Sequence, residues 1–285
     1  MSAIKSVSQF VNKVMALRLN GQRPDGFRGQ AYHGWPIVPK LFRQNDLYLK
    51  EKDVIRDLIS VHPAEFRDDE TMFDRLVRMQ HYGLPTRLLD VTVNPLVALY
   101  FASASHEVDG EEQSGIVQAV FVPGNRRRYY DSDRVSSVAN LANLTDGEKR
   151  ALQKAAGRNR EDNAAFNKDE ATQRLISYIK NEKPHFEAKI DPTHLVLPIF
   201  VKPKMSNRRI VAQSGAFMIY GWPRTKERVE SDLPLQTLVI NAASKRPIQD
   251  QLELLGIHEG TLFPELERAA GKIVTSHSAT RAPRR

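Results

Sequence analysis

Residues 80–102, reading QHYGLPTRLLDVTVNPLVALYFA, constrain the fold of this chain more than any other stretch. The closing LVALYFA is apolar on every helical face, so a helix formed there has to be buried on all sides. Asn94 is suited to cap that helix, and Pro95 to its first position, where no amide hydrogen is required. Leu88 and Leu89 predict a short buried strand ending at Asp90. The polar residues His81, Tyr82, Thr86, Arg87, Asp90 and Thr92 are thereby pinned between buried elements, as the polar groups of a binding site must be. The same residues allow a plainer account, in which Arg87 and Asp90 form a structural ion pair and Asn94 is only a cap.

At 285 residues the chain can bury a substantial core, as one large domain or two small ones. It is 41% hydrophobic and 27% charged, a globular balance. No apolar run approaches the ~20 residues needed to cross a bilayer, so no membrane partner is expected. Residues 1–20 predict an amphipathic helix packed on the domain rather than a signal peptide. With no cysteine, thiol nucleophiles, disulfides and cysteine-ligated zinc are excluded, and a cytoplasmic location is the simplest expectation.

The net charge is +8, from 42 basic and 34 acidic residues, which suits nucleic acid or another polyanion as partner. Arg126, Arg127 and Arg128 adjoin Tyr129 and Tyr130, a cluster able to contact phosphates and stack on bases. Lys202, Lys204, Arg208 and Arg209 make a second basic run. Both runs also fit a merely solvated face. Residues 271–285 contain four basic residues and no acidic ones, and are expected to form a flexible tail.

Helical periodicity covers 46–60 and 69–82, and the buried helix is expected to end near Ser105, before an acidic turn. The stretch FRGQAYHGWPIVPKLFR predicts strands paired around its glycines. GIVQAVFV (115–122) predicts a further strand. From 124 to 186 the composition shifts to Ala, Asn, Lys and Arg, with helical stretches near 145–157 and 168–182, which predicts a helical insertion over a sheet. Strands are expected at 194–201, 208–213, 216–221 and 235–241, with Ser214 and Gly215 as a tight turn, then a terminal helix closed by Gly256. Strands grouped apart from helices predict an α+β fold with a mixed, mainly antiparallel sheet.

Common chemistries are missing. There is no Gly-rich dinucleotide fingerprint, phosphate loop, HExxH pair or GxSxG elbow. The eight histidines show no short ligand spacing, so no metal site is expected.

Three segments together resemble the FRG domain family, named for its Phe-Arg-Gly motif: Phe27-Arg28-Gly29, the 80–102 block, and IVAQSGAF at 210–217 preceded by Arg209. The closing LLGIHEGTLFPELE (254–267) is similar to the family's end, so the resemblance spans about 21–270. The family recurs in bacterial and phage proteins, which implies a role in phage–host conflict. More distantly, the layout resembles that of ADP-ribosyltransferases, in which an early aromatic-Arg-Gly strand holds the NAD pyrophosphate. That resemblance implies a split sheet and NAD as the cofactor-like substrate. Arg28 and Gly29 would meet the diphosphate, Tyr32 or Tyr82 would stack on nicotinamide, and Arg87 and Thr92 would line the site. His81, with an ordinary pKa of about 6.5, Asp90 and Gln213 are the catalytic candidates.

One departure matters. No glutamate stands in RRIVAQSGAF, where the transferase acid belongs; Gln213 can bond a ribose hydroxyl but brings no charge, so a carboxylate such as Asp90 would have to serve. The implied activity is ADP-ribosyl transfer to nucleic acid or protein. The alternatives are a non-enzymatic nucleic-acid or nucleotide binding module, and NAD hydrolysis without transfer. Plainer roles stay open for single residues: Arg28 as a surface arginine, His81 as a cap or core group, Gln213 as a hairpin bond, Gly83 as a helix stop.

Overall fold

The computed structural model describes residues 3–43, 45–205, 207–222 and 233–264. The expected 271–285 tail therefore lies outside the described residues. Helix α1 (Val7–Ala16) opens on Ser6, whose hydroxyl accepts from the Gln9 amide, and turns Val7 and Phe10 onto the core. Strand β1 (Gly26–Gln30) follows. The strand pair expected around the glycines does not form. Pro36 and Pro39 cannot donate to a ladder, and the chain runs instead into short helices α2 (Lys40–Arg43) and α3 (Asn45–Leu49). Helix α4 (Glu51–Val61) is parted from α3 at Lys50, where the backbone leaves the helical region, so two helices replace the one expected over 46–60. Helix α5 (Met72–His81) begins with a Thr71–Asp74 capping box and stops at Gly83, whose φ is +90°.

Strand β2 (Leu88–Thr92) runs two residues past Asp90, and helix α6 (Pro95–Ala102) starts where the Asn94 side chain accepts from the Leu96 amide. The acidic turn forms a hairpin, β3 (Glu107–Val108) with β4 (Glu111–Glu112), ahead of β5 (Gly115–Val120). Region 124–186 holds strand β6 (Arg127–Tyr129) and helices α7 (Asp133–Ala139), α8 (Asp146–Arg158), α9 (Asn163–Lys168) and α10 (Glu170–Glu182). Next come β7 (Ile199–Lys202), α11 (Arg208–Ala212), β8 (Gly215–Ile219), β9 (Leu235–Ile240), α12 (Lys245–Leu254) and α13 (Glu259–Leu262). Residues 208–212 thus correct an expected strand to a helix. Asn207 is the reason: its side chain accepts from the Arg209 amide and starts a helical turn before the β-branched residues can extend. Ser214 still turns the chain, with φ +46°, but between a helix and a strand.

Among the described residues, seven strands form one mostly antiparallel sheet, in the order β6-β7-β8-β2-β1-β5-β9, with only β6 and β7 parallel. The mixed helix-and-sheet architecture and mainly antiparallel pairing are those expected. Helices cover one face in two patches. Phe27, Val117, Ala119 and Leu238 pack against α1, α6 and α12, while Leu88, Phe217, Ile219 and Val201 pack against α5, α7 and α10. Leu89, Val91, Phe200 and Met218 face the other way, beneath Ile37 and Phe42. Helix α6 lies so close to the sheet that a Cβ on Gly29 would fall 1.8 Å from the Ala98 carbonyl oxygen, and one on Gly115 1.9 Å from that of Ala102.

The helical region and the sheet are joined by a buried ionic knot. Arg87 is fully buried, and its Nε and Nη2 grip the two Glu51 carboxylate oxygens at 2.9 and 2.5 Å. Its Nη1 donates to the carbonyls of Tyr220 and Gly221, and Lys149 on α8 adds a 2.6 Å bond to Glu51. This corrects the expected Arg87–Asp90 pair: the partner is Glu51, brought in from 36 residues away. Burial opposes ionisation of Glu51, but Arg87 and Lys149 outweigh it and hold the carboxyl below its ordinary pKa. Burial does win at Lys149, whose ammonium is pulled down despite Glu51, which makes it the marginal charge of the three.

Because the folded pKa of Glu51 is depressed, its contribution is present above the ordinary value of about 4.5 and fades as pH falls through the folded value. Glu51→Gln should cost about 3–5 kcal/mol in urea unfolding at neutral pH, since it strands two buried cations. The difference from the parent should narrow in acid. Equal stability at neutral pH would mean the knot is dispensable.

Candidate functional site

Strand β1 joins its two neighbours unequally. Five pairs tie it to β5, whereas Phe27↔Thr92 is its one pair with β2. From Arg28 onward β1 and β2 part, and the Arg28 guanidinium reaches across, with Nη1 donating to the Asp90 carbonyl at 2.7 Å. Among the described residues that is its only hydrogen bond. Nε is buried without a partner, and among the described residues no carboxylate lies within ion-pair reach. Burial holds this half-buried guanidinium below its ordinary pKa; Asp90 opposes the shift, and Arg43 nearby adds to it. Arg43 is itself turned toward the carbonyls of Pro36 and Val38.

Directly across from Arg28 on β5 stands Gln118, and two residues along β1 stands Gln30. Both glutamines are buried, and the Oε1 of each lacks a hydrogen-bond partner. An unsatisfied guanidinium nitrogen beside two unsatisfied oxygens on one strand pair costs stability unless something else bonds them. On its apolar side, among Leu89, Val91, Met218 and Tyr220, Arg28 meets a cavity of about 10 Å³. That is room for about one water, too little for a ligand of any size.

Asp90 lies on that gap through its carbonyl. Its side chain is exposed although Leu89 and Val91 on either side are buried. Gln80 Nε2 donates to the carboxylate at 2.9 Å, and Thr86 Oγ1 in turn donates to Gln80 Oε1 at 2.5 Å, so the carboxylate is held in place. Gly29 adjoins Arg28 and is pressed against α6. Thr92, at the paired end of the gap, donates to the Gln213 carbonyl at 2.7 Å and accepts from the Asn94 amide, clamping the β2 end to the turn before β8. The Gln213 amide is engaged by the Leu262 carbonyl.

The remaining expected site residues lie elsewhere. Arg87 is locked in the knot with Glu51. Tyr82 is exposed and donates its hydroxyl to Glu65. Tyr32 sits past the end of β1 among His33, Trp35 and His106. His81 lines a separate hollow of about 370 Å³ with Arg78, Lys204 and Asn207. Since Asn207 Oδ1 accepts from the Arg209 amide, its NH₂ faces His81 Nδ1 at 3.0 Å, which puts the proton of the neutral ring on Nε2. Of the basic residues, Arg127 pairs with Asp25 and Lys204 with Glu70, while Lys202 lies over the Tyr129 ring. Arg208 begins α11. Arg126 and Arg128 flank the start of β6. Sequence reasoning missed Gln30, Arg43 and Gln118. A glutamine inside the otherwise apolar GIVQAVFV was the available signal for Gln118.

Residues 25–111 match the family model of the FRG domain, a span that runs from β1 through β4 and contains both Arg28 and Asp90. No curated protein and no solved structure matches the chain. Two substitutions separate scaffold from site. Gly29→Ala has to push against the α6 backbone and should destabilise by about 1–3 kcal/mol or more. Arg28→Ala gives up one hydrogen bond while removing a half-buried unpaired charge, and should leave the Tm nearly unchanged in thermal unfolding. A large Tm loss in Arg28→Ala would make Arg28 scaffold as well.

Proposed function

We propose, for a chain that carries an FRG domain, that the gap between β1 and β2 binds the diphosphate of a nucleotide, with NAD the first candidate, and transfers ADP-ribose to a macromolecule. The observation that carries this reading is the state of Arg28. Among the described residues it is a guanidinium with one carbonyl bond, a buried unpartnered Nε and no carboxylate partner, close to a second guanidinium, that of Arg43. An arginine fork left open in this way suits a diphosphate, which it can grip bidentately. The unpaired Oε1 atoms of Gln30 and Gln118 would accept from sugar hydroxyls or a carboxamide.

The chemistry needs a carboxylate. When the bond between nicotinamide and ribose breaks, its electron pair leaves with the ring and positive charge develops on the sugar. In our reading Asp90 faces that charge, exposed and oriented by Gln80. The nucleophile of the acceptor then bonds the sugar carbon and gives up its proton. His81 is left out, because it faces Asn207 in another hollow. A second reading, binding without reaction, is favoured by one observation: Gln213 stands where a transferase glutamate would, and its amide is already engaged by Leu262.

Incubating the protein with NAD labelled in its adenylate half, with DNA, RNA or protein acceptors present, separates these readings. Transfer predicts label on an acceptor together with free nicotinamide. Nicotinamide alone would mean hydrolysis, and NAD binding with neither product would leave only a binding module. Arg28→Ala should weaken NAD binding by about 10-fold or more, the scale of a lost charge-assisted bond. Asp90→Asn should keep binding and stop nicotinamide release. If NAD does not bind at all, the nucleotide reading falls.

A further inference from the structure

The three arginines before Tyr129 are not used by the site above, and two of them, Arg126 and Arg128, lie near Arg134, which lines a further hollow. This cavity of about 570 Å³ lies between α7 and the segment 183–194, with Arg134, Lys183 and His194 in its wall. Its acidic groups are taken. Lys183 Nζ bonds Asp133 at 2.9 Å, Asp191 accepts from the Thr193 amide and hydroxyl at 2.8 and 2.6 Å, and Glu187 pairs with Lys189. The arginines are not matched in the same way. Arg134 donates to the Asn125 carbonyl and Arg128 to the Arg127 carbonyl, and neither has a carboxylate within 4 Å among the described residues. Arg134 Nε is buried with no partner. Burial, with Arg128 and Arg126 nearby, holds Arg134 below its ordinary pKa against the pull of Asp191, and burial, Arg134 and Arg128 do the same to His194, although Asp191 lies 3.5 Å from its ring. Like charges gathered at the mouth of a cavity are stable when an anion joins them.

The basic surface continues beyond the cavity. Strand β6 is the edge of the sheet, and its Tyr129 is 63% exposed, with the Lys202 ammonium 5.7 Å from the ring centre. An exposed aromatic ring on an edge strand, directly after three consecutive arginines, suits a base stacked beside a phosphate backbone. Charged residues on an edge strand also discourage pairing with another chain, but that role needs neither the cavity nor the buried unpaired Nε.

We propose that this face binds single-stranded nucleic acid, with a backbone phosphate in the hollow against Arg128 and Arg134 and a base on Tyr129. The inference does not depend on the Arg28 site, and its test uses no NAD. Fluorescence anisotropy of the full chain with a labelled 20-nucleotide oligothymidylate should give binding at low salt that weakens steeply as salt is raised. Arg128→Ala with Arg134→Ala should weaken it about 10-fold or more and flatten the salt dependence. Tyr129→Ala, an exposed change that leaves the core untouched, should weaken it about 5-fold or more, as expected for one stacked base. The exposed Arg246→Ala should bind like the parent. No binding at low salt overturns the proposal, as does a folded Arg128/Arg134 variant or Tyr129→Ala variant with parental affinity. Capture of inorganic pyrophosphate without oligonucleotide binding would reassign the hollow to a small phosphate ligand and overturn the nucleic-acid assignment.

Discussion

The arrangement of this protein depends on the bidentate grip of Arg87 on Glu51. Three segments far apart in the chain meet there: α4 through Glu51, the entrance to β2 through Arg87, and α8 through Lys149. Arg87 also ties down the carbonyls of Tyr220 and Gly221 just past β8, so the neighbouring strands β2 and β8 are anchored at the same end. A fully buried ion pair contributes little net stability compared with well-packed apolar groups, because both partners give up their hydration. Losing one partner is costly, however. The knot therefore acts chiefly to hold the helices of 124–186 against the sheet in one way, and β2 with Asp90 inherits its place from that.

The two arginines near the sheet centre show how environment divides structure from function. Arg87 makes four hydrogen bonds, two to a carboxylate and two to carbonyls, whereas Arg28 makes one, to a single carbonyl. The Phe-Arg-Gly triplet explains why Arg28 is where it is. Phe27 packs into the core beside Ala98 and Leu99, and Gly29 lies under the α6 backbone, where any side chain would collide. Alternation along the strand then sends the residue between them to the opposite face. There β1 and β2 have already parted, and the guanidinium fills the space of the missing ladder bonds. The glycine is thus explained by packing, and it positions the arginine as a consequence.

Much of the local structure was legible. Asn94 and Pro95 announced α6, and Gly83 and Gly256 ended their helices, each through contacts a few residues apart. Where local signals competed, the reading failed. Residues 208–212 carry β-branched side chains but follow a capping asparagine, and the cap prevailed. Strand β6 is only three residues long and arginine-rich, so nothing apolar marked it, yet it closes one side of the sheet. Of the site, Arg28 and Asp90 could be named in advance. Their closeness could not, nor could the separation of His81, Tyr82 and Tyr32 into other surroundings.

The sequence by itself determined which segments must be buried and where most helices begin and end, because apolar periodicity and capping act between near neighbours. It determined too that the chain has no thiol chemistry. Only the tertiary structure decided that Arg87 is satisfied by Glu51 while Arg28 is left nearly alone, since those outcomes rest on contacts across 36 and 62 residues. A charged side chain reads the same in either setting. What distinguishes the two is the desolvation and the set of partners that packing imposes once distant strands and helices have come together.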